Sequence, residues 1–356
     1  MTSRLILAGS TALQHRAAGA GTVQTRGVTV DATTGFNRGF TLAEMTGVIN
    51  RDPPVPSAIG ARLPWTPRGV TQRVVKMEDY GRGFEVVPPK GWDSNDPKRR
   101  SKPKRSLMPL EVYHHPLADT LRASEIQGRR ALGSEVTPET VEAARDDIVV
   151  RQRRDHEVTW EHDRALALRG LVPNPNGEYD DLYEMLKSRK TTHAINLAAA
   201  GLQIRQEFTK IKRKVEKVLG QMYPIRGWQA IAGSDAFDAI TGHESFVKIV
   251  ERQAEGGTLR EDLRNGYTFM GNVTLSSYDL ADYVPADKIL FCPIIDDFYF
   301  SFFAPMDHFD TVNRMGLPMY ANSWIHPNGK SMEIESESNA LHVVAVPEAI
   351  VEVTVG

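Results

Sequence analysis

From Phe303 the chain reads FAPMDHFDTVNRMGLPMYANSWIHPNGKSMEIESESNALHVVAVPEAIVEVTVG, ending at Gly356. After a conspicuous loop come three runs of strand character: Ser331 to Glu337, Leu341 to Val346 and Ile350 to Val355. In the first, Met332 and Ile334 fall on one side and Glu333 and Glu335 on the other, the alternation of a strand with one buried face. Asp307, His308 and Asp310 lie close together, but no serine or cysteine stands beside them in a nucleophile elbow. This stretch therefore speaks of architecture and carries no catalytic constellation.

Strands are also expected at Gly271 to Tyr278, Lys288 to Ile294 and Phe298 to Phe303. The run KILFCPI is almost wholly apolar, as in a central strand covered on both faces. Within it Cys292 reads as a small buried hydrophobe rather than a nucleophile. Asp296 and Asp297 fit a turn between two strands better than an acid–base pair, because neighbours on a strand point to opposite faces.

Residues 228 to 251 suggest two short helices broken at Gly242, with Ser234 as N-cap. Residues 202 to 220 form a basic helix. Its Arg205, Lys210, Lys212, Arg213, Lys214 and Lys217 alternate with Ile204, Phe208, Ile211 and Val215 at helical spacing, giving a core face and a wet basic face. Residues 171 to 190 predict a hairpin turning at Asn174 to Gly177. Before it lies a long helix, with Pro138 in its first turn after Thr137 and Gly170 closing its far end. About 32 residues would span about 48 Å. It is charged on most faces, with a thin apolar stripe through Val141, Ala144 and Ile148 that resumes at Ala165 and Leu168. Such a helix is expected along a surface, with Asp147 and Arg151 as an i,i+4 pair. His156-Glu157 and Glu161-His162 suggest a metal site, but the histidines are six apart, about 240° round a helix, and diverge. All four read as exposed helix residues.

Arg68 to Pro88 predicts a hairpin, RGVTQRVVKMED paired with FEVVP through a turn at Tyr80-Gly81-Arg82-Gly83. A basic, proline-punctuated run follows: Lys98, Arg99, Arg100, Lys102, Lys104 and Arg105. Hairpin and run hold too little apolar surface to fold alone and need something to lie on. Three readings stand for the run: a solvated loop, sequence-blind phosphate contact, and an ion-pair strip against a neighbouring subunit. Upstream, Leu42 to Ile49 forms a short helix ended by Pro53, Pro54 and Pro56. Residues 1 to 35, rich in Gly, Ala and Thr, read as an arm that orders on a partner.

The 356 residues carry 43 basic and 45 acidic side chains, so the whole chain is no polycation built to wrap nucleic acid. A single cysteine excludes an intramolecular disulfide framework and a cysteine-rich zinc module. No apolar run approaches the roughly 20 residues that span a bilayer. The LILAG patch near the start is too short for an export signal. AGAGT and YGRGF lack the spacing and context of a nucleotide loop. No cofactor or metal is expected.

The C-terminal stretch resembles the signature of the lambda-type tailed-phage major capsid proteins, the phage major capsid protein E family. The matching pieces are Phe303 to Asp307, Val312 to Tyr320, Gly329 to Leu341, and Pro347-Glu348. FTLAEMTGVINRDP and EIQGRRALG also look like the family. The resemblance covers about residues 36 to 356, strongest after 295 and weakest over 252 to 290. It implies an α+β fold of the Hong Kong 97 type: an N-terminal arm (1–35), helix and linker (36–61), extended hairpin loop or E-loop (62–112), peripheral or P domain with a spine helix (113–200), axial or A domain (201–328), and C-terminal strands returning to the P domain (329–356). It implies a major capsid protein of a tailed double-stranded DNA phage or prophage, not an enzyme, that self-assembles as hexamers and pentamers into an icosahedral head. Tyr80, Arg82, Lys98, Arg99, Arg100, Lys102, Lys104 and Arg105 would then be intersubunit contacts. Scaffolding, portal and decoration proteins would be partners, with DNA met on the inner face without sequence specificity, and no membrane. The location would be the virion, and host cytoplasm during assembly. An encapsulin-like nanocompartment shell, or an α/β enzyme, are the competing readings. The arm matches nothing in the family, and the basic insert is more extreme than the family's usual glycine-containing stretch.

Overall fold

The computed structural model describes residues 5–7, 42–50, 58–80, 105–127, 140–174, 176–220, 223–253, 263–278 and 283–356. Strand β1 (Leu5–Leu7) lies antiparallel on the hairpin described below, so this part of the arm pairs within its own chain. Helix α1 (Leu42–Ile49) falls where expected, and α2 (Ala58–Arg62) follows it. Strands β2 (Trp65–Gly69), β3 (Val74–Tyr80), β4 (Arg105–Glu111) and β5 (Pro116–Arg122) come next, then the short α3 (Ala123–Ile126). The partner of β3 is β4, in register from Val74↔Glu111 to Tyr80↔Arg105, and not the FEVVP run, which lies outside the described residues. The hairpin is thus longer than its nearest glycine turn suggested. Of the expected turn, Tyr80 ends β3, and Gly81, Arg82 and Gly83 lie outside the described residues.

Helix α4 (Val141–Leu168) is the longest helix described. Thr140 caps it, its hydroxyl accepting from the Ala143 N–H at 3.2 Å. The sequence's Thr137-Pro138 start lies outside the described residues. Gly170 ends it at φ +76°, and a Cβ there would fall 2.2 Å from the Tyr183 ring. β6 (Leu171–Pro173) and β7 (Tyr179–Asp181) make the expected small hairpin. α5 (Leu182–Met185) and β8 (Thr191–Ile195) follow.

Helix α6 (Ile204–Leu219) buries Ile204, Phe208, Ile211, Val215 and Leu219, as its spacing predicts. β9 (Gly227–Ala232) is a strand where a helix was expected. GWQAIA is buried at every position, and an all-buried run has no period to distinguish the two. α7 (Ser234–Thr241) and α8 (Glu244–Gln253) do break at Gly242, but the N-cap is Gly233 rather than Ser234. β10 (Tyr267–Phe269), β11 (Val273–Ser277), β12 (Lys288–Ile294), β13 (Tyr299–Phe303), β14 (Tyr320–Ile325), β15 (Ser331–Glu337), β16 (Ala340–Val344) and β17 (Val351–Val355) complete the order.

A six-stranded mixed sheet runs β10-β11-β9-β12-β17-β8, with β12 central and antiparallel to both neighbours. Its faces are covered from Phe208, Phe237, Phe246 and Phe291 outward, in a core that continues to Leu168 and Val344. Burial of Cys292 within it pushes that thiol well above its ordinary range, where it is no nucleophile. Asp296 and Asp297 form the β12–β13 turn. Two three-stranded sheets, β16-β13-β2 and β14-β15-β5, flank α4. A second core of Met45, Ile49, Val149, Trp160, Phe303, Met332 and Ile334 fills the space between α1, α4 and β14-β15.

Helix α4 corrects the expectation of a wet surface helix. His156, Glu157 and Glu161 are buried and His162 is half-buried, along with Arg145, Gln152, Arg153 and Asp163. Most of their polar atoms find partners, although Gln152 Oε1 does not. Arg153 pairs with Glu157 at 3.0 Å and donates to the last carbonyl of α1, Ile49 O. Glu161 accepts from the Ile59 and Gly60 N–H groups and from the Tyr278 hydroxyl. One residue thereby joins the start of α2 to the six-stranded sheet.

Candidate assembly surfaces

The signature stretch is an interlocked structural joint. Gln152, His156 and Trp160 on α4, spaced four apart, meet Ile334 O, Ser336 Oγ and Ser338 Oγ, spaced two apart on and just after β15. Four helical residues rise about 6 Å and two strand residues about 6.6 Å, so the two periods run in step. Burial, then the neighbouring His115, push His156 down to about 4, so the ring is neutral when it meets Ser336.

Asn339 ties the joint to the FAPMD turn. Its side-chain amide donates to Pro305 O at 3.0 Å, its carbonyl accepts from His115 N–H, and its backbone oxygen accepts from Ala304 N–H. Glu337 is buried beside it, accepting from Asp307 N–H and sitting 2.9 Å from His114 Nδ1. Gly316 donates to Val70 O, and its Cα is pressed against Phe303, where a Cβ would lie 2.0 Å from the carbonyl oxygen. Ser338 Oγ also reaches Pro318 O, and Tyr320 OH accepts from Leu317 N–H. Ser338, Asn339, Gly316 and Tyr320 are therefore fixed by backbone groups of Pro318, Pro305, Val70 and Leu317.

Between these anchors a loop projects. Phe309 is 94% exposed, Met315 65%, Val312 59% and Leu317 45%. The loop holds its own shape: the Thr311 hydroxyl reaches Met306 O and His308 O, Asp310 N–H donates to His308 Nδ1, and Asn313 adopts φ +59°. Arg73 at the hairpin's root pairs with Asp307 at 2.8 Å. In the sequence Asp307, His308 and Asp310 stand out for their chemistry, and the apolar residues beside them do not. Four apolar side chains within nine residues of a polar loop were the available signal.

Of the residues expected to contact neighbouring subunits, Tyr80 and Arg105 are cross-strand partners at the outer end of the described hairpin. Arg82, Lys98, Arg99, Arg100, Lys102 and Lys104 lie among the 24 residues between them, outside the described residues.

A polar cavity of about 800 Å³ lies between the starts of α6 and α8 and the β10–β11 turn. Two pairs lie within its lining: Glu244 with Lys248, and His243 with Ser245, while Arg205 also lines it. Among the described residues no group of three His, Cys, Asp or Glu side chains is placed to hold a metal, and no helix is long and apolar enough to cross a membrane.

Comparison with known proteins agrees with this architecture. The model of the family described as phage major capsid protein E matches residues 41–355. The major capsid protein of Pseudomonas phage KPP10 is 26% identical over 311 residues, covering 80% of this chain and 85% of that one. Among solved structures, the capsid asymmetric unit of cyanophage Pam1 aligns with a TM-score of 0.50 at 10% identity over 98% of both chains. A prophage protein of E. coli CFT073 assigned as a capsid protein aligns with a TM-score of 0.50 at 10% identity, over 90% of this chain and 100% of that one. At such identities the likeness is one of fold, the Hong Kong 97-type capsid fold.

Proposed function

Because this chain belongs to the phage major capsid protein E family and its work is to form a capsid shell in the virion head, we propose that its copies close as hexamers and pentamers into an icosahedral head around double-stranded DNA. The observation that carries this reading is the division of the molecule. Its polar groups interlock into a rigid body at the signature, while apolar groups and a long hairpin are held outward. Heterologous contacts that close into rings suit such a body, since each modest contact is repeated many times.

In this reading β3, β4 and the 24 residues between them form the extended loop that lies across the next subunit. Tyr80, Arg82 and the run Lys98, Arg99, Arg100, Lys102, Lys104 and Arg105 meet an acidic surface there as an ion-pair strip. Helix α4 with β5 and β14-β15 forms the peripheral body, and the sheet around β9, β11 and β12 the axial one. DNA is met on the inner face through phosphates without sequence preference, which suits a chain of net charge −2. Assembly proceeds in the host cytoplasm with scaffolding, portal and decoration proteins as partners, and the subunit's role is structural rather than catalytic.

Negative-stain electron microscopy with light scattering of the chain expressed alone tests this. Closed shells, rings or sheets are expected. A monodisperse monomer at high concentration, unchanged by co-expression with the neighbouring head genes, overturns it. Reversing Lys98, Arg99 and Arg100 to Glu is expected to lower particle yield while leaving the subunit's melting unchanged. Unchanged yield would remove the ion-pair strip from the account.

A further inference from the structure

The β3–β4 hairpin leaves the body through two short links. On the incoming strand Val70 still belongs to the body, its N–H donating to Phe303 O and its carbonyl accepting from Gly316 N–H. At Arg73 the hairpin has begun, because Arg73 O accepts from Val112 N–H across it at 2.7 Å. On the outgoing strand His115 is back in the body, its N–H donating to Asn339 Oδ1 and its carbonyl accepting from Ser338 N–H. Thr71-Gln72 and Tyr113-His114 are all that lies between. Val75, Leu110 and Val112 are buried at the root, in the core that also holds Ile59 and Leu63. Apolar burial keeps the root attached but has no direction, so it leaves the hairpin free to rock. Directional contacts bridge the links. Arg73 pairs with Asp307 at 2.8 Å, and His114 Nδ1 lies 2.9 Å from Glu337 Oε1. A carboxylate accepts, which assigns the ring's proton to Nδ1. The two acids are themselves joined, since Asp307 N–H donates to Glu337 at 3.2 Å. Tyr113 OH also reaches Asp180 on β7, at 3.5 Å, the outer limit of a hydrogen bond.

We propose that Asp307 and Glu337 form a shared anchor that sets the angle at which the hairpin leaves the body, through Arg73 on one strand and His114 on the other. The inference rests on the shell-forming reading, in which the hairpin lies across the next subunit, and adds the positioning residues that aim it. One tie would leave the hairpin free to turn about it. Two ties on adjacent strands, about 4.8 Å apart, oppose both rocking and twisting. The two differ in weight. The Glu337 side chain is 1% exposed, and its contact with His114 is shielded from water. Arg73 and Asp307 are 58% and 72% exposed, so their pair adds direction more than stability. Small changes at the root are magnified outward. From Arg73 to Tyr80 is about 24 Å of strand, so a tilt of about 15° carries its end about 6 Å. A hairpin displaced that far no longer meets its neighbour in register.

The test uses the full chain as unassembled subunit, whose only cysteine, Cys292, is buried and stays unlabelled. Spin labels at Tyr80→Cys, the outer end of β3, and Val158→Cys, exposed on α4, report the angle by double electron–electron resonance. A single narrow distance distribution is expected from the parent. Arg73→Ala with His114→Ala should broaden or displace it by about 5 Å or more, with the melting midpoint at the parent value. Arg73→Asp alone should displace it too, and Asp307→Arg in the same chain should restore it. Without labels, the double alanine variant should give at least tenfold fewer particles. A parent distribution as broad as the variant's overturns the proposal, as does an unchanged distribution in the double variant. So does a displacement that the charge swap does not reverse, or one that comes only with a fallen melting midpoint. Parent-level particle yield from a displaced hairpin overturns its role in aiming. The distances are read before assembly, so a parent chain that forms no particles alone or with its head genes overturns the shell reading and not the anchor.

Discussion

The joint between α4 and β15 and the projecting loop at 307–317 share a signature but solve opposite problems. At the joint, Gln152, His156, Trp160, Ser336, Ser338 and Asn339 are buried polar groups brought into mutual register. In the loop, backbone bonds are just as well satisfied, yet Phe309 and Met315 are pushed outward. The first pattern makes one subunit rigid. The second leaves apolar surface for contacts that the subunit alone cannot complete. Conservation of shape in such a protein has two sources, and substitutions separate them.

The largest effect is expected at Gly316, which holds joint and loop together. Gly316→Ala sets a Cβ against the Phe303 carbonyl and should cost about 4 kcal/mol, read as loss of soluble subunit or a collapsed denaturation midpoint. A parental midpoint would mean the loop can shift away and is not anchored as described. Asn339→Ala leaves the buried Pro305 carbonyl and His115 N–H without their partner and should cost about 3 kcal/mol in a urea melt of unassembled subunit.

Acid should act on the joint next. The His156 ring titrates at about 4 in the folded subunit, below the ordinary 6.5 it regains on unfolding. Unfolded chains therefore bind the extra proton first, so this contribution is intact above about pH 6.5 and is lost as pH falls toward 4. At pH 5 the loss is about 2 kcal/mol for His156. The fully buried His342, also held well below its ordinary value by burial, acts in the same direction. Melting midpoints of His156→Gln measured from pH 7 to 5 should fall less steeply than the parent's. Parallel slopes would assign the acid sensitivity elsewhere. The smallest stability effect belongs to the loop: Phe309→Ser should change subunit stability by less than about 0.5 kcal/mol while particle yield drops. A large loss of stability would place that ring in the fold rather than at a contact.

Much of the fold was legible where one physical signal dominated. Helix α1, the central β12 and the alternating β15 lie on their expected residues because apolar spacing alone specifies them. Helix α4 was legible as a helix but not as a core element. Its buried side chains are Arg153, His156, Glu157 and Glu161, and a reading based on apolar periodicity sends such residues to solvent. Their burial depends on partners such as Ile59 and Ser336, more than 90 positions away, which local spacing does not report. The strand β14, YANSWI, alternates too weakly to stand out, and it forms because α1 and β15 supply its two neighbours. The assembly loop was visible only as a family pattern, since exposed apolar residues look the same in sequence as buried ones.

The place of β17 sets a timetable for synthesis. β17 lies between β12 and β8, and it is the sheet neighbour of β8. About 155 residues separate the two in the chain. At roughly 5 to 20 residues per second, β8 waits about 8 to 30 s on a translating ribosome before its partner is made. During that wait the sheet has an open edge where β17 will insert, and the helices packed on it cover an unfinished core. A nascent chain cut short before Val351 lacks the strand that joins β12 to β8, so its sheet stays divided there.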